Sequence, residues 1–584
     1  MLTTTLLLVA AAARAALAAP NCPPLGPVYE PPLTFTSPTL LAAIANLTAT
    51  LAMRDLDNSV SIRAQDTSYS IEVFSTSPSN PLIFSWHHTA PALAAQSNGT
   101  SGVRRADADA VYRLGSLTKV FTVYTWLVQD GDVRWNDPIT KYVPELAAVA
   151  ERGREDPVSS TPWDEVTVGA LASQMSGAIR DYGLLGEVTQ QMNQSTVVGY
   201  GFPPLNSSDP TLPPCGLWPL CNRTEFFNGL LHSYPSYAPF TTPAYTNTGF
   251  QILAYALESI KGKTFEEMMK ESIFRPLGLK HTYYSNAPAS EGIIPGTRED
   301  AGWDYQLGEE NPAGNMYSSV GDISAVGRAI MRSTLLRPSL TRRWLKPAAL
   351  TSEPVASVGY PWGIRRISLP LENGKRTLDA YNKAGRIGYY NSLLNLLPDY
   401  GVGFSVLIAG PSIPGNANFN LADILGAQLV PALEAAAREQ ADAKFAGDYV
   451  DATGNWSLRL TTQPDRPGLG IEQWVSNGTD MQTTAVALAA GYTPVRPSIR
   501  LYPTGLETVR ADGTRRVAFK ASLEDANAPS RAGSMFSTDC GSWVTLTSVT
   551  YGTQALDQFV FDLDKEGNVV SIESLALRAV MKKS

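Results

Sequence analysis

The chain has 584 residues, 44% of them hydrophobic and only 17% charged, with a net charge of -8. That is ample apolar material for a large buried core in a chain longer than one ordinary domain, so two domains are expected. An acidic chain without a Lys/Arg run offers no surface for a phosphate backbone, which argues against nucleic acid as a partner.

Residues 1–19, "MLTTTLLLVAAAARAALAA", read as a signal peptide, because a short apolar stretch ends in the small-x-small element Ala16-Leu17-Ala18. Arg14 interrupts the stretch and the leading residues carry no positive charge, yet no later segment reaches the ~20 apolar residues of a membrane span. The expectation is a secreted protein whose mature chain starts near Ala19. Seven N-x-[ST] sequons, at Asn46, Asn98, Asn193, Asn206, Asn222, Asn455 and Asn477, fit that compartment. So do four cysteines. The short Pro-rich interval "CGLWPLC" suits a Cys215–Cys221 bridge, which leaves Cys22 to pair with Cys540. Metal binding is the weaker reading of these cysteines, since C-x-x-C spacing is lacking and only four histidines are available.

Residues 20–54 form a Pro-rich tail and a helix with Ser37 at its N-cap and Pro38 at its first position. "SYSIEVFST" and "PLIFSWHHT" then read as a β-hairpin. Helical text follows Ser116 and returns in "NTGFQILAYALESIKG" and "TFEEMMKESIF", while "YYNSLLNLLPDYGVGFSVLIAG" reads as two strands around a turn. Strands before and after a helical middle predict one antiparallel sheet completed by both ends of a domain spanning residues 55–440. "LADILGAQLVPALEAAAREQADAK" is a helix or helix pair. From residue 445 to 584 short alternating strands predict a separate all-β domain.

One tetrad carries chemistry. In "YRLGSLTKVFT", Ser116 and Lys119 are three apart on a helix about to be buried, so they share a face. A lysine buried beside a hydroxyl is costly unless its pKa falls, and a neutral amine can take the serine's proton. A capping serine with a solvated lysine is the bland alternative, which the tetrad alone does not decide. No G-x-S-x-G elbow occurs, and the histidines, His87, His88, His232 and His281, offer no obvious triad base.

"YRLGSLTK" is followed by "VTVGALASQMSGAIRDYG", "AYTNTGFQILAYALESIKGKTFEEMMKESIFRPLGLKHT", "PAGNMYSSVGDI" and "KAGRIGYYNSLLNLLPDYGVGF". This order of motifs resembles the serine β-lactamase and penicillin-binding-protein family, specifically its class C and esterase branch and the secreted fungal β-lactamase-like proteins, over about residues 55–430. The resemblance implies an α/β (α+β) fold: a β-lactamase/transpeptidase-like domain with an antiparallel sheet and a helical subdomain. The all-β C-terminal domain is expected to be a lipocalin-like barrel.

The resemblance also implies roles. Ser116 would be the acyl-accepting nucleophile, Lys119 its partner, and Tyr245 a general base and acid whose anion two neighbouring lysines favour. Asn247 would hold Lys119 and a substrate carbonyl, and Lys383 would set the field at Tyr245. Gly385 would let the backbone approach the acyl group, with the N–H groups of Ser116 and Arg386 as oxyanion hole. Ala384 stands where the family has the threonine of its Lys-Thr-Gly element, which favours neutral esters or amides over β-lactams and D-Ala-D-Ala peptides. "SQMSG" would pack beneath the site, and the insert 184–242 would be a lid or a glycosylated surface loop.

The function implied is hydrolysis of a small-molecule ester or amide through an acyl-enzyme. An acyltransferase and a non-catalytic binding protein that keeps the fold are the alternatives. No metal or organic cofactor is expected, and the oligomeric state is left open.

Overall fold

The computed structural model describes residues 23–52, 62–96, 101–184, 186–217, 219–371, 374–529, 531, 534–537 and 540–584. The first part is a sandwich of helices around a sheet. Its elements, in chain order, are α1 (Pro38–Ala52), β1 (Ser68–Ser75), β2 (Leu82–His88), β3 (Val111–Arg113), α2 (Thr118–Asp130), α3 (Thr248–Lys261), β4 (Tyr317–Ser319), α4 (Val320–Met331), β5 (Ala349–Leu350), β6 (Ala356–Val358), β7 (Gly363–Leu371), β8 (Gly374–Ile387), β9 (Tyr390–Leu397), β10 (Val402–Ala409) and α5 (Ala417–Phe445). Short helices and loops fill the intervals, and β3 and β4 form a small ladder of their own.

The main sheet runs β2-β1-β10-β9-β8-β7-β6-β5, with every neighbouring pair antiparallel. The N-terminal hairpin thus completes a sheet begun by the C-terminal strands, as expected. Its central strands are apolar on both faces, so polar alternation is absent from them and "LLNLL" has no outside. Leu394 and Leu396 of β9 face the helical side with Leu407 and Ala409 of β10. Leu393 and Leu397 face the other side with Val406 and Ile408, under α1 and α5.

"LADILGAQLVPALEAAAREQADAK" forms one continuous helix, α5, with Pro431 inside it. Pro431 itself is exposed, and the buried face of α5, with Leu425, Leu429 and Leu433, carries the helix through the turn that proline leaves short of a hydrogen bond. Ser37 precedes α1, but its hydroxyl donates to Glu439 Oε2 of α5 at 2.6 Å. The contact joins two helices instead of capping one.

Phe445 ends α5 inside the second part, with its ring 5.3 Å from that of Phe519 and 4.8 Å from that of Phe561. Among the strands that follow, eight build a barrel: β11 (Gly447–Val450), β12 (Trp456–Gln463), β13 (Arg466–Ser476), β14 (Pro497–Val509), β15 (Arg515–Asp525), β16 (Gln558–Leu563), β17 (Val569–Ser574) and β18 (Ala579–Lys583). Each pairs antiparallel with the next, and β18 returns to β11 through Tyr449↔Lys583. The eight strands therefore close into an up-and-down barrel, with the short segment Thr479–Asp480 paired on the end of β13. Aromatic side chains pack its interior, Trp474 against Phe559 and Phe519 against Phe561.

Cys215 and Cys221 form the expected disulfide. Cys540 is also disulfide-bonded, and Cys22 lies outside the described residues, as do residues 1–19 and Asn98. The other six sequon asparagines are exposed.

Candidate active site

Ser116 sits in a single 3-10 turn, Gly115–Leu117, that runs directly into α2. Gly115 has φ +53°, and a Cβ on it would lie 2.5 Å from the backbone nitrogen of Arg386. A Cβ on Gly385 would in turn lie 1.9 Å from the Leu114 carbonyl oxygen and 2.7 Å from the Ser116 nitrogen. Two glycines thus let β8 and the serine turn touch backbone to backbone. Ser392 of β9 clamps the contact by donating to the Leu114 carbonyl at 2.6 Å.

Lys119 follows one turn later on the buried face of α2 and is wholly inaccessible. Its Nζ donates to Ser116 Oγ at 3.1 Å, to Asn247 Oδ1 at 2.5 Å and to the Ala313 carbonyl at 2.6 Å. The bland reading of the tetrad therefore fails on both counts, since the lysine is not solvated and Ser116 caps nothing with its side chain. Burial is the main reason its pKa is pushed down to about 7; Glu310 and Asp181 pull it up and Arg180 pulls it down. After losing one proton the amine still has two N–H groups for Asn247 and Ala313, and its lone pair is left facing Ser116.

Tyr245 Oη donates to Ser116 Oγ from the other side at 2.6 Å. The loop carrying it is fastened by "SQMSG": Ala244 N donates to the Gln174 carbonyl at 2.9 Å and Thr246 N to Gln174 Oε1 at 2.6 Å. That stretch packs beneath the site, as expected. Asn247 then occupies the N-cap position of α3 without capping it, because its amide is engaged elsewhere. Its Oδ1 accepts from Lys119, and its Nδ2 donates to Asp181 Oδ1 at 2.7 Å.

Lys383 Nζ lies 5.5 Å from the centre of the Tyr245 ring and donates to the Ala384 carbonyl at 2.6 Å. Burial pushes its pKa down to about 8, opposed by the pull of Tyr245 and aided by Lys119. Arg180 stacks over the Tyr245 ring, 4.7 Å from its centre. The Arg386 side chain is exposed and reaches over Gly415, so this residue faces the site only through its backbone. His232 is exposed and spends its Nδ1 on the Asn228 carbonyl, away from this centre. Among the described residues no group of three His, Cys, Asp or Glu side chains forms a metal-binding cluster.

Residues 87–428 match the Beta-lactamase family. The chain belongs to that family. Residues 437–584, which hold the barrel, match a second family described as Beta-lactamase-like-like, C-terminal domain. Along its whole length this beta-lactamase-like chain is similar to a Beta-lactamase-like protein of Arthroderma benhamiae, 29% identical over 612 residues and covering 98% of both chains. It is also similar to Probable hydrolase clz13 of Cochliobolus lunatus, 26% identical over 441 residues, 70% of this chain and 68% of that protein. Among solved structures, the octameric penicillin-binding protein homologue from Pyrococcus abyssi aligns at 16% identity with a TM-score of 0.44, covering 92% of this chain and 100% of its own. The chain is a beta-lactamase-like hydrolase by family.

Three groups of this beta-lactamase-like site escaped the sequence reading. Asp181 fixes Asn247, the Ala313 carbonyl fixes Lys119, and Glu310 lies 1% exposed behind them. Burial, reinforced by the charge of Asp181, pushes the Glu310 carboxyl well above the usual carboxylate range. "SGAIRDYG" and "GEENPAGN" carry these residues, but nothing in either stretch signals proximity to a helix more than fifty positions upstream.

Proposed function

We propose that the protein is a secreted serine hydrolase that cleaves neutral esters or amides through an acyl-enzyme on Ser116. The observation that carries the reading is Ser116 Oγ held between Tyr245 Oη at 2.6 Å and the buried amine of Lys119 at 3.1 Å.

The roles follow from hydrogen-bond direction. Ser116 Oγ accepts from Tyr245, so its own proton is free to go to the neutral amine of Lys119 as Oγ attacks the substrate carbonyl. The backbone N–H groups of Ser116 and Arg386 stabilise the developing oxyanion. Tyr245 gives its phenol proton to the leaving alkoxide or amine, and the cations of Lys119 and Lys383 flank the resulting phenolate. In the second half-reaction water attacks the acyl carbon, its proton restores the phenol, and Lys119 returns its proton to Ser116. One base and one acid thus serve both halves, and every proton is accounted for.

Ala384 offers no hydroxyl to a substrate carboxylate, which supports neutral substrates. Secretion is supported by the signal-like residues 1–19, the exposed sequons and the Cys215–Cys221 bridge.

Exposure of the purified mature protein to a fluorophosphonate, followed by intact and peptide mass analysis, tests the reading. A stoichiometric adduct on Ser116, absent in Ser116→Ala, is expected. No adduct on folded protein would leave the non-catalytic binding protein as the better account.

A further inference from the structure

On the side of the main sheet away from Ser116, strands β6 to β10 and helix α5 line a half-open cavity of about 910 Å³. That is the size of a small-molecule site, for which pockets of about 300–1,000 Å³ are usual. Its walls are mostly apolar, with Leu393, Leu397 and Phe404 from the sheet and Val430 from the helix. Gly426 of α5 keeps it open, since a Cβ there would meet nothing within 4 Å. Pro431 also lines it and has no N–H to return to the carbonyl of Ala427, another lining residue.

Two side-chain amides break the apolar wall. Asn382 of β8 and Asn395 of β9 are directly paired across the ladder, and both line the cavity. Asn395 is only 6% exposed. Among the described residues neither amide has a hydrogen-bond partner, although Asn418 and Asn391 nearby are both engaged with backbone carbonyls. Both amides reach the space of the cavity, where water or a ligand satisfies them, and a ligand that supplies both a donor and an acceptor matches the pair. The charged lining residues, Arg365, Arg366 and Asp423, are all exposed at the rim, which leaves the amide pair in neutral surroundings.

We propose that this cavity is a second binding site, separate from the Ser116 centre, for a small neutral molecule with an apolar body and a carboxamide-type head bound by Asn382 and Asn395. Successive residues of a strand point to opposite faces. Asn382 therefore lies on the back of the strand that presents Lys383 to the active site. Binding alone is proposed, without turnover.

The test uses the full mature protein, with Ser116 first blocked by fluorophosphonate or replaced in Ser116→Ala, and octanamide as probe. Calorimetric titration is expected to show one molecule bound per chain. Gly426→Phe, which fills the cavity from a helical position with room for a side chain, is expected to weaken binding by at least about tenfold, and Asn395→Leu by about tenfold through loss of the head-group contact. Ala427→Phe serves if Gly426→Phe does not fold. In the unblocked protein both cavity variants keep the wild-type rate of fluorophosphonate labelling. Absence of octanamide binding to folded protein, or binding undiminished in the filled variant, overturns the proposal. Binding lost in Gly426→Phe but unchanged in Asn395→Leu overturns the assignment of the head group. Failure of Ser116 to label bears on the proposed hydrolysis alone, since octanamide binding is read separately.

Discussion

The α-carbon of Gly385 packs directly under the backbone nitrogen of Ser116, where a methyl group would approach it to 2.7 Å. The strand bearing Lys383 and the turn bearing the nucleophile are thereby fixed to each other through main chain, whatever their side chains do. Gly385→Ala pushes the two apart without touching the titrating groups. The expected result is a loss of about a hundredfold or more in kcat/KM for ester hydrolysis, with unchanged far-UV circular dichroism. Near-wild-type turnover would remove the proposed oxyanion hole.

Lys119, with its pKa lowered to about 7, acts as base only when neutral, so kcat/KM is expected to rise with pH up to about 7. Lys383, at about 8, supports the Tyr245 phenolate only when charged, so the rate falls again above about 8. The product is a bell with its maximum between these values. Lys383→Arg keeps its charge and is expected to carry the alkaline limb upward. A profile flat from about pH 5 to 9 would contradict both assignments.

Asp181 touches Asn247 and not Ser116, so it acts by position. Asp181→Ala frees the Asn247 amide to rotate away from Lys119. A fall of about 10–100-fold in kcat with little change in KM is expected, about 1.4–2.7 kcal/mol of barrier. Asp181→Asn, which keeps an acceptor oxygen, is expected to recover most of it. Equal losses in the two variants would point to charge in place of geometry.

Arg376 is 1% exposed and binds Asp399, Glu434 at 2.9 Å, the Tyr400 hydroxyl at 3.0 Å and the Gly26 carbonyl at 3.0 Å. It ties the N-terminal tail, the sheet and α5 together. Arg376→Met removes the buried cation that pairs two half-buried carboxylates, and a destabilisation of about 2–4 kcal/mol is expected. Urea unfolding measures it, and a loss under about 1 kcal/mol would show that the network is dispensable.

Local text was enough for much of this protein. The Ser116/Lys119 spacing, the strand pairs around "LLPDYG" and the alternation after residue 445 all depend on neighbours within a few positions, where helical and strand periodicities act. The single Lys-containing tetrad, the Tyr245-x-Asn247 element and Lys383-Ala384-Gly385 could likewise be read in order along the chain. Cys215 and Cys221 are six apart, close enough for their pairing to be read from spacing.

What only the tertiary structure decided are relationships between distant backbone atoms and buried charges. The Ala313 carbonyl has no side-chain signature, yet it holds Lys119 across 194 positions. The paired amides of Asn382 and Asn395 look like ordinary strand residues until the sheet folds and leaves them opposite an open helix face. Whether a lysine is an acid or a base is set by how much water folding removes around it, and that is a property of packing in three dimensions.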